Sequence, residues 1–552
     1  MTRLGSVLPL PATRRDAAGR ARVAAWAATT GRDLAPFAGF ALLALLLRLL
    51  LIDARPLHHD ESEHAWFAWR FVNGEGYRYD PVFHGPVQFY LMSLADLALG
   101  AGDRVARVAP ATMGAAITFL PWFLRRQLGR TAMLAASAAL CLTPSYLYFS
   151  RFAREDVYVA CITLALMVVL LRLVAEPRRW HPSALLGLLA VSFATKETTY
   201  ITSFLVGTFL IVATVAQAVR ERRRGGRVLD APLLRTAASV GRDAWAWGVA
   251  TFLVVFTLLF STFLTNPAGV QEGLVGSIHY WLTQQPVGRG GQPWFYYLIL
   301  LPAYEWPLLL LGIAGIVAVL RRPTLAGAFL IWMFLGSLVV YSWASERMPW
   351  LILHPLLPLI LLAGLGVQAA WNGRRRWSGR LVLALAAVGA LASIWTAVAV
   401  SYVRPTDPRE LLVQVQTAED VPRIRDELVA LDARVRRETG APLALEVDSW
   451  GGTGWPWSWY LRDHPIAYSD MSSPLYRPTG QAILVADPNH AAVAPKLAGY
   501  VGRRFNLRVW WVPDYGAASP ADWARWLVRR KAWNPTATMD EWLYVKRGLA
   551  RP

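Results

Sequence analysis

Long apolar blocks separated by short basic breaks constrain this chain more than any other feature. Stretches such as FAGFALLALLLRLLLI (37–52) and AWGVATFLVVFTLLFSTFL (246–264) run almost without charge. About twenty apolar residues at 1.5 Å rise span a hydrocarbon core of about 30 Å. One such block also suits a buried helix, but around ten of them in one chain do not. Of the 552 residues, 17% are charged and 55% hydrophobic, whereas a water-soluble globular chain carries about 25% charged residues. The expected fold is an all-α polytopic membrane bundle.

Hydropathy gives about eleven spans, at 36–52, 105–124, 131–149, 157–175, 183–199, 201–219, 245–264, 296–320, 325–343, 349–370 and 380–402. The net charge of +19 would point to nucleic acid if it formed one basic patch. Instead the arginines fall on every second break: Arg125, Arg126 and Arg130; Arg178 and Arg179; Arg220 to Arg227; Arg321 and Arg322; Arg374 to Arg376 with Arg380. Positive residues in short loops mark the cytoplasmic side. These breaks are therefore expected inside, together with an N-terminus carrying Arg14, Arg15, Arg20 and Arg22. The first block is too long for a cleaved secretory signal and reads as a retained helix. Breaks 53–104, 150–156, 195–200, 265–295 and 344–348 then face outward, as does everything after 403. The expected location is the cell membrane, multi-pass. The two cysteines, Cys141 and Cys161, lie in apolar blocks and read as small hydrophobes.

Two outward segments are not plainly hydrophilic. AWFAWRFV (65–72) and PVQFYLMSLADLAL (86–99) mix aromatic and polar residues, as helices lying in the membrane interface do. The tail changes character. VPRIRDELVALDARVRRETG (421–440) has helical period and a glycine stop. LALEVD (443–448), AILVAD (482–487) and RVWWVPD (508–514) read as short strands, and ADWARWLVRRKAW (521–533) as an amphipathic helix. Strands alternating with helices favour a small α/β domain. The domain reading is a transmembrane unit over 1–403 and an extracytoplasmic α/β domain over 404–552. The tryptophans of WGGTGWPWSWYLRDHP (450–465) suit docking on the bundle or the interface better than sugar stacking.

Charge on the outward face is sparse and concentrated. HHDESEH (58–64) follows the first span, SRFARED (150–156) the third, FATKETTY (193–200) the fifth and SWASERMPW (342–350) the ninth. Taken singly, each also has a structural reading, as a solvated loop end, a helix cap or an ion pair. Topology brings all four to one side of one bundle, and ionisable groups at membrane depth are candidates for function. A carboxylate there can take a proton from an acceptor hydroxyl, and Lys and Arg can stabilise a departing phosphate. The chain has no nucleotide-binding loop, so a lipid phosphate reached laterally from the bilayer is the donor that fits.

These segments, with HGPVQFY (84–90) and ERMPWLILHPLLPLILLAG (346–364), resemble the GT-C superfamily of integral-membrane glycosyltransferases. More narrowly they are similar to the dolichyl-phosphate-mannose–protein mannosyltransferase-like proteins, including the subgroup labelled flippase-activity-associated. The resemblance covers about residues 36–403 and the start of the tail at RPTDPRE (404–410). It implies transfer of a sugar, mannose or a similar hexose or pentose, from a polyprenyl-phosphate donor to a glycan, lipid or protein acceptor. By the resemblance Asp60 is the catalytic base, with Glu61 and Asp156 as further catalytic acids. Arg151, Arg154, Lys196 and Arg347 are expected on the donor phosphate, and His59, His84, Glu197 and Glu346 on substrate. A divalent ion is the one cofactor considered, with His59, Asp60 and His64 as candidate ligands; Asp60 and His64 share a helix face at i, i+4. Two other readings compete. A transporter or flippase-associated protein would show paired inverted halves, which the sequence lacks. A binding module on a membrane anchor would leave the loop-one acids dispensable.

Overall fold

The computed structural model describes residues 14–550, with side chains from residue 31 onward. The N-terminal arginines Arg14, Arg15, Arg20 and Arg22 fall outside the described side chains. Every block expected to span is helical, but the blocks differ in kind. Among the described residues, six helices are long and apolar enough to cross a membrane: Asp156–Ala175, Thr198–Arg223, Arg242–Phe260, Leu325–Trp343, Pro349–Asn372 and Trp377–Val403. The count rises to seven if the bent pair Tyr296–Tyr304 and Trp306–Arg321 is one span. That pair bends by 102° where a straight helix over 296–320 was expected. Pro307 opens the second half and supplies no N–H to continue the first, while the Glu305 carboxylate at the corner accepts the Ser145 amide (2.9 Å). The expected span at 131–149 is also divided, into Arg130–Leu142 and Pro144–Phe149, because Pro144 interrupts it.

Pro349–Asn372 forms the centre of the bundle with Asp156–Ala175; these two spans are 89% and 72% buried, against 17% for Thr198–Arg223. The outer helices turn Leu46, Val212, Leu253, Val339, Leu391 and Trp395 outward. Apolar side chains exposed in such numbers are unfavourable in water and suit hydrocarbon.

The first loop folds into two helices, α2 (His59–Val72) and α3 (Val87–Leu99), following α1 (Arg14–Leu49). The tail forms one six-stranded sheet in the order β1-β5-β6-β4-β2-β3. Its strands are β1 (Gln416–Thr417), β2 (Leu445–Asp448), β3 (Ile466–Ser469), β4 (Ala482–Ala486), β5 (Tyr500–Trp510) and β6 (Ala537–Lys546). β2 runs parallel to β3 and β4, and the remaining pairs are antiparallel. Helix Asp420–Thr439 packs on the sheet and stops at Gly440 in the left-handed conformation, which glycine adopts without steric cost.

The sheet domain is docked on the first loop. Trp459 donates its indole N–H to Asp103 (2.7 Å), and the Tyr460 hydroxyl accepts the Leu57 amide (2.8 Å). Trp66 of α2 lies edge-on to Trp455 at 5.6 Å. Two of the tail tryptophans, Trp457 and Trp459, are fully buried.

Candidate active site

The site begins at the first turn of α2. His58 caps the helix: its Nδ1 accepts the Asp60 amide (3.1 Å), while the Glu61 carboxylate accepts the His58 amide (2.9 Å). Such reciprocal capping satisfies donors that a helix start otherwise leaves unpaired. The two acids that follow then part company. Glu61 points inward and is fully buried. It takes two hydrogen bonds from Arg107 (2.6 and 2.7 Å) and one from the Ala153 amide (2.8 Å). Burial opposes its charge, but Arg107 and Arg55 outweigh burial and hold the carboxyl below its usual range. Glu61, expected among the catalytic acids, has its oxygens bonded to Arg107, His58 and Ala153, and it ties the first loop to two other segments.

Asp60 points the other way, into a cavity of about 400 Å³. One of its oxygens meets His59 Nε2 (2.8 Å) and the other the Arg154 guanidinium. Arg154 also lies over the Trp350 ring at 4.3 Å. One turn further, Glu63 lines the same cavity. Burial pushes its carboxyl up to about 7, against the pull of Arg508. Burial also holds the imidazoles of His58 and His59 well below their usual pKa, with Arg154 and Arg508 acting in the same direction.

The segment 150–156 divides its charges similarly. Arg151 reaches away from the cavity to the end of α1, where it donates to the carbonyls of Leu47 and Arg48 (both 3.1 Å), Leu50 and Leu51 (2.6 Å). It caps a helix C-terminus and, although expected on the donor phosphate, does not line this cavity. Asp156 is buried and accepts both hydrogen bonds of Lys196 Nζ (2.8 and 3.0 Å), with His354 at 3.4 Å. Asp156, expected among the catalytic acids, thus has both oxygens on Lys196 and fixes that ammonium in place. Glu155, given no role from sequence, is fully buried beside His64 Nε2 (3.2 Å).

Lys196 and His84 are brought together by a close backbone approach. The Gly85 amide donates to Thr195 O (3.2 Å) and the Val87 amide to Ala194 O (3.0 Å). A Cβ at Gly85 would lie 2.2 Å from Ala194 O, so only glycine lets the two segments meet. His84, at φ +64°, hydrogen-bonds Glu197 (2.8 Å) and stacks on Trp281 at 5.0 Å. Burial and Lys196 oppose a charge on His84, yet Glu197 and Glu155 prevail and keep its pKa above the usual value.

A second cavity, of about 380 Å³, opens beside the first. Lys196, Glu197 and Thr198 lie along it, and Ile201, Ile278, Trp281, Leu282, Tyr341 and Leu351 make the rest of its wall largely apolar. His84 and Glu346 belong to both walls, so the polar and apolar cavities meet there. Arg347 lines neither. Its side chain, expected on the donor phosphate, donates to Ser342 O (3.1 Å) and Gln292 O (3.0 Å). The late cation that does face the polar cavity is Arg289. It is presented by a loop in which Gly290, at φ +91°, lies tight against Arg347 O. A lone arginine in the glycine-rich stretch GRGGQ (288–292) was the available signal for it.

Among the described residues, one group has donor atoms close enough for a metal ion: His58, His59 and Asp60, within 4.8 Å of one another. The chemistry of this set does not fit one. His58 has both nitrogens engaged, Nδ1 by the Asp60 amide and Nε2 by Gln414 O (2.9 Å). His64, a ligand candidate from sequence, turns Nδ1 to Ala153 O (3.1 Å) and Nε2 to Glu155 (3.2 Å). The Asp60 carboxylate already touches a guanidinium, whose charge opposes a divalent cation at the same oxygens.

Residues 83–223 match the family described as dolichyl-phosphate-mannose-protein mannosyltransferase. The fold is similar to that of ArnT from Cupriavidus metallidurans bound to undecaprenyl phosphate: TM-score 0.61 and 16% identity, over 93% of this chain and 98% of that one. The apo state of the same protein gives 0.62 and 16%, over 95% and 100%. The family match covers about a quarter of the chain, and the likeness to ArnT extends the shared fold over nearly all of it. A more distant fold likeness is to the archaeal oligosaccharyltransferase AglB from Archaeoglobus fulgidus, in complex with an inhibitory peptide and a dolichol-phosphate: TM-score 0.52 and 13% identity, over 86% of this chain and 69% of that one. No curated protein sequence matches. A structural match over 93% of the chain is too long to stop at residue 403, so the likeness to ArnT includes the C-terminal domain.

Proposed function

We propose that this protein is a GT-C glycosyltransferase that transfers a sugar from a polyprenyl-phosphate donor to an acceptor hydroxyl, with Asp60 as the base. The observation that carries the reading is the junction of the two cavities at His84 and Glu346. An apolar cavity with a lysine on its wall suits a lipid chain ending in phosphate, and a polar cavity with a carboxylate suits a hydroxylated acceptor. The undecaprenyl phosphate of ArnT and the dolichol-phosphate of AglB support a lipid carrier. Mannose or a similar hexose or pentose is the sugar class, and the acceptor is a glycan, lipid or protein. The loop arginines support a cytoplasmic N-terminus and an extracytoplasmic site and C-terminal domain.

In this reading the acceptor oxygen attacks the anomeric carbon in line as Asp60 takes its proton. The bond from that carbon to the phosphate oxygen breaks, with inversion, and the electron pair leaves on polyprenyl phosphate. Lys196, held by Asp156, stabilises the departing charge, while His84 and Glu346 orient the sugar at the junction. Arg154 and His59 hold the Asp60 carboxylate in its aim.

The test is incubation of the purified protein with a panel of radiolabelled polyprenyl-phosphate sugars, reading which donor is consumed and what product forms. Consumption of one donor with a new glycosidic bond supports the reading. Movement of lipid-linked sugar across a bilayer with no bond chemistry replaces it with transport.

A further inference from the structure

The polar cavity is closed by a segment that belongs to the C-terminal domain. Gln414 and Val415 line it opposite α2, immediately before β1 enters the sheet. This stretch is no loose tether. Tyr148 donates its hydroxyl to Pro405 O (3.0 Å) and Tyr296 to Leu411 O (2.9 Å). Glu410 is buried between Tyr304 (2.7 Å) and Arg530 (2.9 Å). Gln416 donates to Pro56 O (3.1 Å), one residue before the Leu57 amide held by Tyr460. Val415 adopts φ +48°, a conformation that a β-branched residue takes only where its surroundings impose it.

At the centre of this seam, His58 Nε2 faces Gln414 O at 2.9 Å. A carbonyl only accepts, so Nε2 carries the proton and Nδ1 is left with the lone pair. That lone pair takes the Asp60 amide (3.1 Å). One imidazole thus joins a backbone carbonyl of the C-terminal domain to the first turn of the helix bearing the proposed base. Both His58 and Gln414 are buried, so water does not substitute for either bond.

We propose that the C-terminal domain is a working part of the site, with His58 as a positioning residue through which the docked linker sets the first turn of α2 and the aim of Asp60. This rests on the reading of Asp60 as the base. The coupling between the domain and α2 is itself a property of the free protein.

The experiment uses full-length protein in lipid nanodiscs with two variants. His58→Asn keeps a capping oxygen for the helix but loses the reach to Gln414. Tyr460→Phe removes one hydroxyl on the far side of the seam and touches neither cavity. Amide hydrogen exchange is read at residues 60–62, with the helix Asp156–Ala175 as internal reference. Both variants are expected to raise exchange at 60–62 about tenfold while the reference stays constant. In the transfer assay both are expected to lower kcat about tenfold with donor KM unchanged, since the apolar cavity is untouched. Unchanged exchange at 60–62 in both variants, or a fall in donor affinity in place of kcat, overturns the proposal. Absence of transfer by the wild type on every donor would overturn the proposed function, whereas the exchange result would still decide the coupling.

Discussion

The two cavities that meet at His84 and Glu346 are built from opposite materials and by different parts of the chain. The apolar one is made by membrane helices and the loop before the bent pair, with Lys196 and His84 on its wall. The polar one takes its wall from α2, from Arg154 and Arg289, and from the linker of the C-terminal domain. Their stability rests on different groups too. Beside the apolar cavity a buried pair, Asp156 with Lys196, fixes the cation. Behind the polar cavity another buried pair, Glu61 with Arg107, fixes the helix while the neighbouring Asp60 faces the opening. The same design recurs on both sides: one carboxylate is bound within the protein so that a neighbouring group is held in place for substrate.

This contrast is open to direct attack. Lys196→Ala leaves the Asp156 charge buried without its main partner, a change that costs about 3–5 kcal/mol. The expected outcome is a large drop in thermal unfolding temperature together with lost binding of polyprenyl phosphate. The double variant Lys196→Ala with Asp156→Ala should recover much of the stability and none of the binding. Ile278→Trp crowds the apolar cavity alone and costs donor affinity by about 1–2 kcal/mol, roughly tenfold in KM, with acceptor KM unchanged. An equal loss on both substrates would erase the distinction between the two cavities.

Arg151→Ala removes a helix-end cap outside both cavities. It should lower stability by about 1–3 kcal/mol while leaving both KM values in place. A selective rise in donor KM would return Arg151 to the phosphate.

The smallest effect concerns Glu63. Burial raises its carboxyl from 4.5 to about 7, so the folded protein holds that proton more tightly than the unfolded chain. The associated stability is fully present below about 4.5 and is lost as pH rises through about 7. The unfolding temperature of Glu63→Gln relative to wild type should therefore climb between pH 5 and 8. A flat difference across that range would place Glu63 in ordinary water.

Much of this arrangement was legible in the sequence, and the unread part has a common cause. Apolar blocks announced the bundle, and Asp60, Arg154, Lys196, His84 and Glu346 were picked out because charges beside membrane spans are few. Which of two adjacent acids faces the cavity was not legible. That depends on partners distant in sequence: Arg107 for Glu61, Lys196 for Asp156, and the end of α1 for Arg151. Arg107 itself stood at the start of an apolar block, where a solitary arginine is a signal in its own right. Strand β6, ATMDEWLYVK, went unread because its acids interrupt the apolar alternation, although Glu541 among them is fully buried and accepts the Trp457 indole (2.8 Å).

The most direct test of the central claim compares wild type and Asp60→Asn on the polyprenyl-phosphate sugar that the wild type consumes, with binding of undecaprenyl phosphate measured in parallel. Loss of the base should lower turnover by about 10²- to 10⁴-fold and leave lipid phosphate binding intact. Wild-type turnover by Asp60→Asn would contradict the account.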